Sequence, residues 1–276
     1  MSGNCDALLA RIADALDRLV PPAPANADWL ADPAYLWDGQ QARAVAALIA
    51  PRLSLLRGIE QQKSVVVSNV ERHAAGHAAH DMLLWGSRGM GKSALLRSAI
   101  VAAQRAQPKS IALVQVAPDA LSGLTALFAQ LGAQDRQFLV YIDDLGFEDG
   151  DSNGPRQLRS WLEGGVEARP ANVRLAVTAN RRAIVSRHMS EQDDPINQRD
   201  VVDDKLALAD RFGLSVGFHA CDQDDYLAII RGYAEEYGLN FDEGDALEWS
   251  RRRGARSGRV AWHYVNELAG RAGRIL

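Results

Sequence analysis

The chain has 276 residues, 47% of them hydrophobic, with 31 Lys and Arg against 35 Asp and Glu for a net charge of −4. Such a length and apolar content exclude a disordered chain and allow a sizeable core with one or two attached units, and the acidic balance leaves the whole protein no electrostatic footprint for nucleic acid. Cys5 and Cys221 stand alone, which excludes a disulfide framework or a structural zinc site. No apolar run approaches membrane-spanning length, and Asp6, Arg11, Asp14 and Asp17 interrupt any signal-peptide core, so a cytoplasmic location is expected.

Leu8, Leu9, Ile12, Leu16 and Leu19 recur at helical spacing until Pro21-Pro22-Ala23-Pro24 stops them. A second helix is predicted from Gln40 to about Leu56 on Val45, Leu48, Ile49 and Leu53, and a third from about Glu60 toward His80. Residues 1–55 are thus expected to form a helical extension. His73, His77 and His80 fall on one helical face, a spacing that can bind zinc. No carboxylate or Cys completes that set, so a polar, solvent-facing stripe is the expectation.

From Asp81 the rhythm changes to short apolar runs at Met82–Trp85, Ile111–Val116, Phe138–Ile142, Arg174–Thr178 and Leu214–Phe218, alternating with helical or polar segments. This is the pattern of an α/β fold with a five-stranded parallel sheet flanked by helices, over residues 56–220. Glu191 to Asp204, dense in Asp, Gln and Asn, reads as a long loop. Helical periodicity returns around Tyr226–Ile230, Asp242–Arg253 and Val260–Leu268, giving a small all-helical unit at 221–276.

The first strand runs into Gly86-Ser87-Arg88-Gly89-Met90-Gly91-Lys92-Ser93, which fits the phosphate-binding template G-x-x-x-x-G-K-[ST] at every fixed position. The strand before it and the helix from Ala94 after it are the context that template needs. Glycines let successive backbone N–H groups turn toward phosphate oxygens, Lys92 reaches the β- and γ-phosphates, and Ser93 can ligate Mg²⁺. The third strand delivers Asp143-Asp144 at its tip, where Asp143 can bind Mg²⁺ and Asp144 can orient water. Asn180, or Thr178, ends the fourth strand within reach of a γ-phosphate or an attacking water. Arg211, just before the fifth strand, can reach the γ-phosphate of a neighbouring subunit. Arg256 and Arg259 open the last helix, where they can report phosphates to the helical unit or contact a nucleic-acid backbone, and Arg251 to Arg253 read as a solvated basic face.

These motifs, in this order, resemble the AAA+ ATPase superfamily from about Leu56 to the C-terminus. More closely, Trp85–Ser93, Ile142–Leu145, Leu162–Pro170, Thr178–Arg182 and Asp210–Leu214 resemble an uncharacterised bacterial group of AAA+-type ATP-binding proteins. The resemblance implies ATP as ligand, Walker A at Gly86 to Ser93, Walker B at Asp143-Asp144, sensor 1 at Asn180, an arginine finger at Arg211 and homo-oligomers built through it. It further implies sensor 2 at Arg259, a C-terminal lid, and an adenine pocket bordered by Leu56 to Glu60, Ile59 among them. Asp144 departs from the Glu common in the superfamily, which implies looser water activation and slow turnover, with Glu148 a possible substitute base.

Three roles remain open on the sequence alone. One is an ATP-hydrolysing module acting on an unknown protein partner. Another is a DNA-associated helicase-loader or transposition-helper-like ATPase, suggested by Asp143-Asp144-Leu145-Gly146, by Arg251 to Arg259 and by Arg181-Arg182. The third is a nucleotide-regulated binding module with negligible turnover.

Overall fold

The computed structural model describes residues 27–117, 119–145, 158, 161–162, 169–180 and 210–276. The N-terminal helix, the loop 191–204, Glu148, Arg181-Arg182 and most of 162–170 therefore lie outside the described residues. Within them, strands form at β1 (Ala34–Trp37), β2 (Ala42–Val45), β3 (Met82–Gly86), β4 (Ile111–Val116), β5 (Gln137–Ile142), β6 (Val173–Ala179) and β7 (Leu214–Phe218). Helices form at α1 (Glu60–Ala74), α2 (Lys92–Ala106), α3 (Leu124–Gly132), α4 (Gln223–Tyr237), α5 (Glu243–Arg252) and α6 (Gly258–Arg271).

The sheet has seven strands in the order β2-β1-β4-β5-β6-β3-β7. The five expected strands are all present and parallel. Two more come from the region expected to be helical. Instead of a helix from Gln40, Ala42–Val45 pairs antiparallel with Ala34–Trp37, which in turn pairs parallel with β4. The cause is local. Asp38 Oδ1 accepts the amides of Gln40 and Gln41 at 2.9 Å each, and Gly39 adopts φ +103, so the chain reverses before a helix can start. Downstream, Pro51 lacks the N–H a continuing helix needs, and only one 3-10 turn forms, at Leu53–Leu55.

Strand alternation divides the core between the sheet's two faces. Met82, Leu84, Ile111, Leu113, Leu139, Tyr141, Ala176, Val216 and Phe218 face one layer with α1, α2 and the C-terminal helices. Leu83, Val114, Phe138, Val140, Ile142, Leu175 and Val177 face the other with α3 and Trp29, Tyr35 and Trp37. The added hairpin is anchored by Arg136, which is 5% exposed and donates to the carbonyls of Trp29 (2.9 Å), Asp32 (2.8 Å) and Ile111 (3.1 Å).

The three C-terminal helices begin on N-caps that the sequence supplies at the right places. Asp222, Asp242 and Ser257 accept the amides of Asp225, Asp245 and Val260. Gly238, left-handed at φ +61, ends α4.

The histidine stripe does not exist as expected. Helix α1 stops at Ala74, and Gly76 at φ +74 turns the chain away, so His77 and His80 lie beyond the helix. His73 is buried rather than solvent-facing, with Nε2 3.0 Å from the Phe138 carbonyl oxygen. No cluster of three metal-ligating side chains occurs among the described residues. Burial pushes the His73 imidazole down from 6.5 to about 4, so it is neutral in the folded protein near neutral pH. Because the folded pKa is the lower one, its contribution to stability is intact above pH 6.5 and is lost as pH falls from 6.5 toward 4, by up to about 3 kcal/mol. Denaturant titrations across that window should show a loss that His73→Gln abolishes; an identical pH slope in the variant would refute the assignment.

Candidate functional site

Strand β3 is flanked by β6 and β7, and the loop 86–92 leaves its C-terminal end. Gly86, Gly89 and Gly91 have φ of +122, +75 and +88, backbone conformations that side chains resist, so the glycine spacing of the motif is a conformational requirement. At Gly86 a Cβ would lie 2.0 Å from the Phe218 carbonyl oxygen, the same atom that accepts the Ser87 amide at 2.8 Å. The tip of β7 therefore pins the start of the loop. At Gly89 a Cβ would lie 2.9 Å from Ser257 Oγ, and the Gly89 carbonyl accepts the Arg259 amide at 3.0 Å, so the first turn of α6 packs directly on the loop.

Met90 is buried, and Ile59 is buried beside Gly91, in one core layer with Leu56, Cys221, Tyr226 and Leu227. Ser87 and Arg88 lie on the loop itself, and Ala94 packs against the same core from the first turn of α2. Helix α2 begins at Lys92, so its unpaired N-terminal amides and positive dipole end face the loop. Lys92 is buried, with Nζ donating to the carbonyls of Gly86 (2.7 Å) and Ser87 (2.9 Å). Burial lowers its pKa, aided by Arg259 and Arg88 and opposed by Asp144 and Asp143.

Asp143 and Asp144 follow β5, and β6 separates β5 from β3. Asp143 Oδ1 accepts the Ser93 hydroxyl at 2.9 Å and the Thr178 hydroxyl at 2.6 Å. Burial alone would raise the Asp143 pKa, but the hydrogen bonds of Thr178 and Ser93 and the charge of Arg97 outweigh it, and the carboxyl sits below its usual value. The Tyr141 hydroxyl lies beside this carboxylate and acts in the same direction, without completing a hydrogen bond of its own. Asp144 has φ +51, its amide donates to Thr178 Oγ1 at 2.8 Å, and its carboxylate accepts the Asn180 amide nitrogen and lies 3.9 Å from Arg88.

Lys92, Ser93, Asp143, Asp144, Asn180 and the Arg259 backbone thus converge on one end of the sheet. Arg211 does not. It precedes Leu214, which is opposite Met82, whereas Phe218 is opposite Gly86. Arg211 therefore belongs to the other end of the sheet, about 13 Å or more of strand from its own loop. Sequence reasoning missed the Phe218 carbonyl as the loop's anchor and the double use of Thr178. A polar residue in the apolar run Val173–Ala179 was the only sign of the latter.

Residues 31–272 match the model of a family described as protein of unknown function DUF815. The chain belongs to this family. The search of curated proteins finds no sequence match. Among solved structures, the fold is similar to Thermotoga maritima RuvB, a Holliday junction branch migration motor (TM-score 0.54, 16% identity, 83% of this chain and 68% of that one). It is also similar to Aeropyrum pernix ORC2 in ADPNP–ADP complexes (0.54, 17%, 82% and 66%) and to Aeropyrum pernix ORC1 in complex with DNA (0.52, 15%, 84% and 68%). At these identities the likeness is one of fold, and this DUF815 chain carries the AAA+ architecture.

The left-handed backbone at Asp144 bears on the choice of Asp over Glu. Asp and Asn tolerate positive φ because their short polar side chains bond locally, whereas Glu gains less there. Asp144→Glu is expected to lower the melting temperature, by about 1 kcal/mol of stability, while Asp144→Asn leaves it near wild type. Equal melting temperatures for Asp144→Glu and wild type would contradict this account.

Proposed function

We propose that this protein binds ATP with Mg²⁺ at the loop 86–93, hydrolyses it slowly, and converts nucleotide state into movement of a helical lid, residues 221–276, against the nucleotide-binding domain 56–220. The output acts on a protein partner, and residues 34–45, whose strands β1 and β2 extend the sheet beside β4, belong with the nucleotide-binding domain rather than with a separate extension. The observation that carries this reading is the Ser93–Asp143 pair, 2.9 Å apart at the N-terminus of α2, directly below a loop whose three glycines are all left-handed. A hydroxyl and an ionised carboxylate are the hard oxygen donors that Mg²⁺ takes, so the residues present fit the ion. Ser93 and Asp143 would hold the ion, which would supply neutralisation of phosphate charge.

The chain's own residues supply the rest. Loop amides and Lys92 hold phosphate oxygens, and Asp144, oriented by Asn180, positions the attacking water. Asp144 is a methylene shorter than Glu, which supports slow turnover. Arg259 sits where the lid meets the loop, so closure of the lid on bound nucleotide runs through α6. Arg211, remote from its own loop, serves a neighbouring copy in a homo-oligomer. Adenine fits against Ile59. No helix among the described residues is long and apolar enough to cross a membrane, and a cytoplasmic location is part of the proposal.

A DNA-associated role is the competing reading, because one structure of similar fold, ORC1, is in complex with DNA. The basic cluster weakens that reading, because three of its arginines are already engaged within the chain. Arg251 and Arg252 pair with Glu248, and Arg253 stacks 3.6 Å over Trp249. Salt-dependent binding of duplex DNA by the purified protein would restore the DNA reading.

Phosphate release from Mg·ATP should fall on the order of 100-fold in Lys92→Ala, by loss of a charged hydrogen-bond donor. Equal rates in wild type and variant would defeat the hydrolysis claim. Arg211→Ala should bind a fluorescent ATP analogue as wild type does yet lose turnover, roughly 1,000-fold if it acts as a finger. Mixing it with Lys92→Ala should restore part of the activity, because intact loops and intact arginines then meet across subunits. Unchanged turnover in Arg211→Ala would remove it from the mechanism.

A further inference from the structure

Thr178 has no role in the nucleotide reading above, yet its side chain is buried and doubly hydrogen-bonded within the site. It is 1% exposed at the end of β6. Its hydroxyl donates to Asp143 Oδ1 at 2.6 Å and accepts the Asp144 amide at 2.8 Å, and its carbonyl accepts the Leu145 amide at 2.8 Å. One residue of β6 thereby holds three consecutive residues after β5. Among the described residues of the site, Asp144 is the one non-glycine at positive φ, a conformation that persists only where its surroundings enforce it.

Packing alone does not call for a hydroxyl here. Valine has the same branched shape and is at home in a buried strand such as this one, where the neighbouring residues are Ala176, Val177 and Ala179. A buried hydroxyl in such a strand has to satisfy its hydrogen bonds, and this one does so entirely on the two acids. Ser93 also donates to Asp143 Oδ1. Ser93 is the hydroxyl that Mg²⁺ would take as a ligand, which leaves Thr178 as the bond that keeps the carboxylate oriented.

We propose that Thr178 is the positioning residue of the site, holding Asp143 toward Ser93 and Asp144 in its left-handed turn through one hydroxyl. Metal-linked nucleotide binding then depends on a side chain that touches neither metal nor nucleotide. The proposal rests on the reading of this site as an ATP–Mg²⁺ site.

The test is equilibrium binding of a fluorescent ATP analogue to the full chain, with Mg²⁺ and with EDTA. Wild type should bind more tightly with Mg²⁺. Thr178→Val should lose about tenfold of that tightening, the value of a hydrogen bond to a charged group, with affinity in EDTA unchanged, and Thr178→Ser should recover it. In an Asp143→Asn background, Thr178→Val should cost nothing further. Full Mg²⁺-linked tightening in Thr178→Val, or a second, additive loss in the Asp143→Asn background, would overturn the proposal while the nucleotide reading stands. Absence of analogue binding in wild type under both conditions would overturn the two together. If Thr178→Val does not fold, Thr178→Cys, whose thiol is a weak donor of similar size, should lose several-fold of the Mg²⁺ effect, and a wild-type response there would equally overturn it.

Discussion

A single carboxylate oxygen, Asp143 Oδ1, joins the three segments on which the site depends. It accepts the hydrogen bonds that the Ser93 and Thr178 hydroxyls donate, tying the first turn of α2 and the tip of β6 to the residue that follows β5. The sheet order explains why such a tie is required. Strand β6 lies between β5 and β3, so the acid strand and the loop strand share no ladder. Side chains on the α2 face have to span the gap. Burial would oppose an ionised carboxylate at that position, and the hydroxyl donors together with Arg97 reverse the balance. In the low dielectric of a buried strand tip these bonds are stronger than in water, and losing one costs correspondingly more.

The same face of the sheet links the site to the C-terminal helices. Leu95 and Leu96 of α2, Phe218 of β7 and Tyr226, Ala261, Tyr264 and Val265 of the helical unit belong to one continuous buried cluster. Phe218 acts twice: its side chain is in that cluster and its carbonyl accepts the Ser87 amide. Helix α6 reaches the loop from the other side, through Ser257 and Arg259 on Gly89. The close approach leaves no room for a side chain at Gly89. A displacement of α6 relative to the sheet would therefore have to alter the contact at Gly89, and a change in loop conformation would be felt at α6. Salt bridges from Arg52 to Glu236 (2.8 Å) and Arg57 to Glu235 (3.3 Å) add exposed, weaker ties between the chain entering α1 and the end of α4.

Strands buried on both faces write themselves plainly into a sequence, as continuous apolar runs, and the five parallel strands were legible for that reason. The loop was legible too, because its glycines are conformational necessities and its Lys and Ser are chemical ones. The hairpin was not. Its second strand, Ala-Arg-Ala-Val, is short and only partly buried, with a composition compatible with helix, and what decides it is an Asp38 turn and pairing with β1. Residues Val45, Leu48, Ile49 and Leu53 share helical spacing without sharing a helix. The tertiary partner overrode the local pattern. The histidine spacing misleads for a similar reason, since a helix stopping at Ala74 leaves three histidines at regular spacing on no common face. Thr178 reads in the sequence as an alternative to Asn180 at the strand tip, whereas its hydroxyl partners in the structure come from a segment 34 and 35 positions earlier. Pairings of that kind cannot be read from spacing.

The parallel sheet also sets limits on how copies of this chain can cooperate. Parallel strands give a sheet two chemically different ends. Here the loop, Asp143, Asp144 and Asn180 occupy the end where strands finish, while Arg211 precedes the end where β7 starts. No rearrangement of a side chain can bridge the two, because the length of β7 separates them. If Arg211 acts on a nucleotide, that nucleotide belongs to another copy, and the interface joins unlike surfaces: the finishing end of one sheet to the starting end of the next. Contacts between unlike surfaces repeat from copy to copy, closing into a ring or running on as a filament. An isolated chain would then bind nucleotide with its own loop and lack the cation for the reaction, and turnover would follow assembly rather than binding.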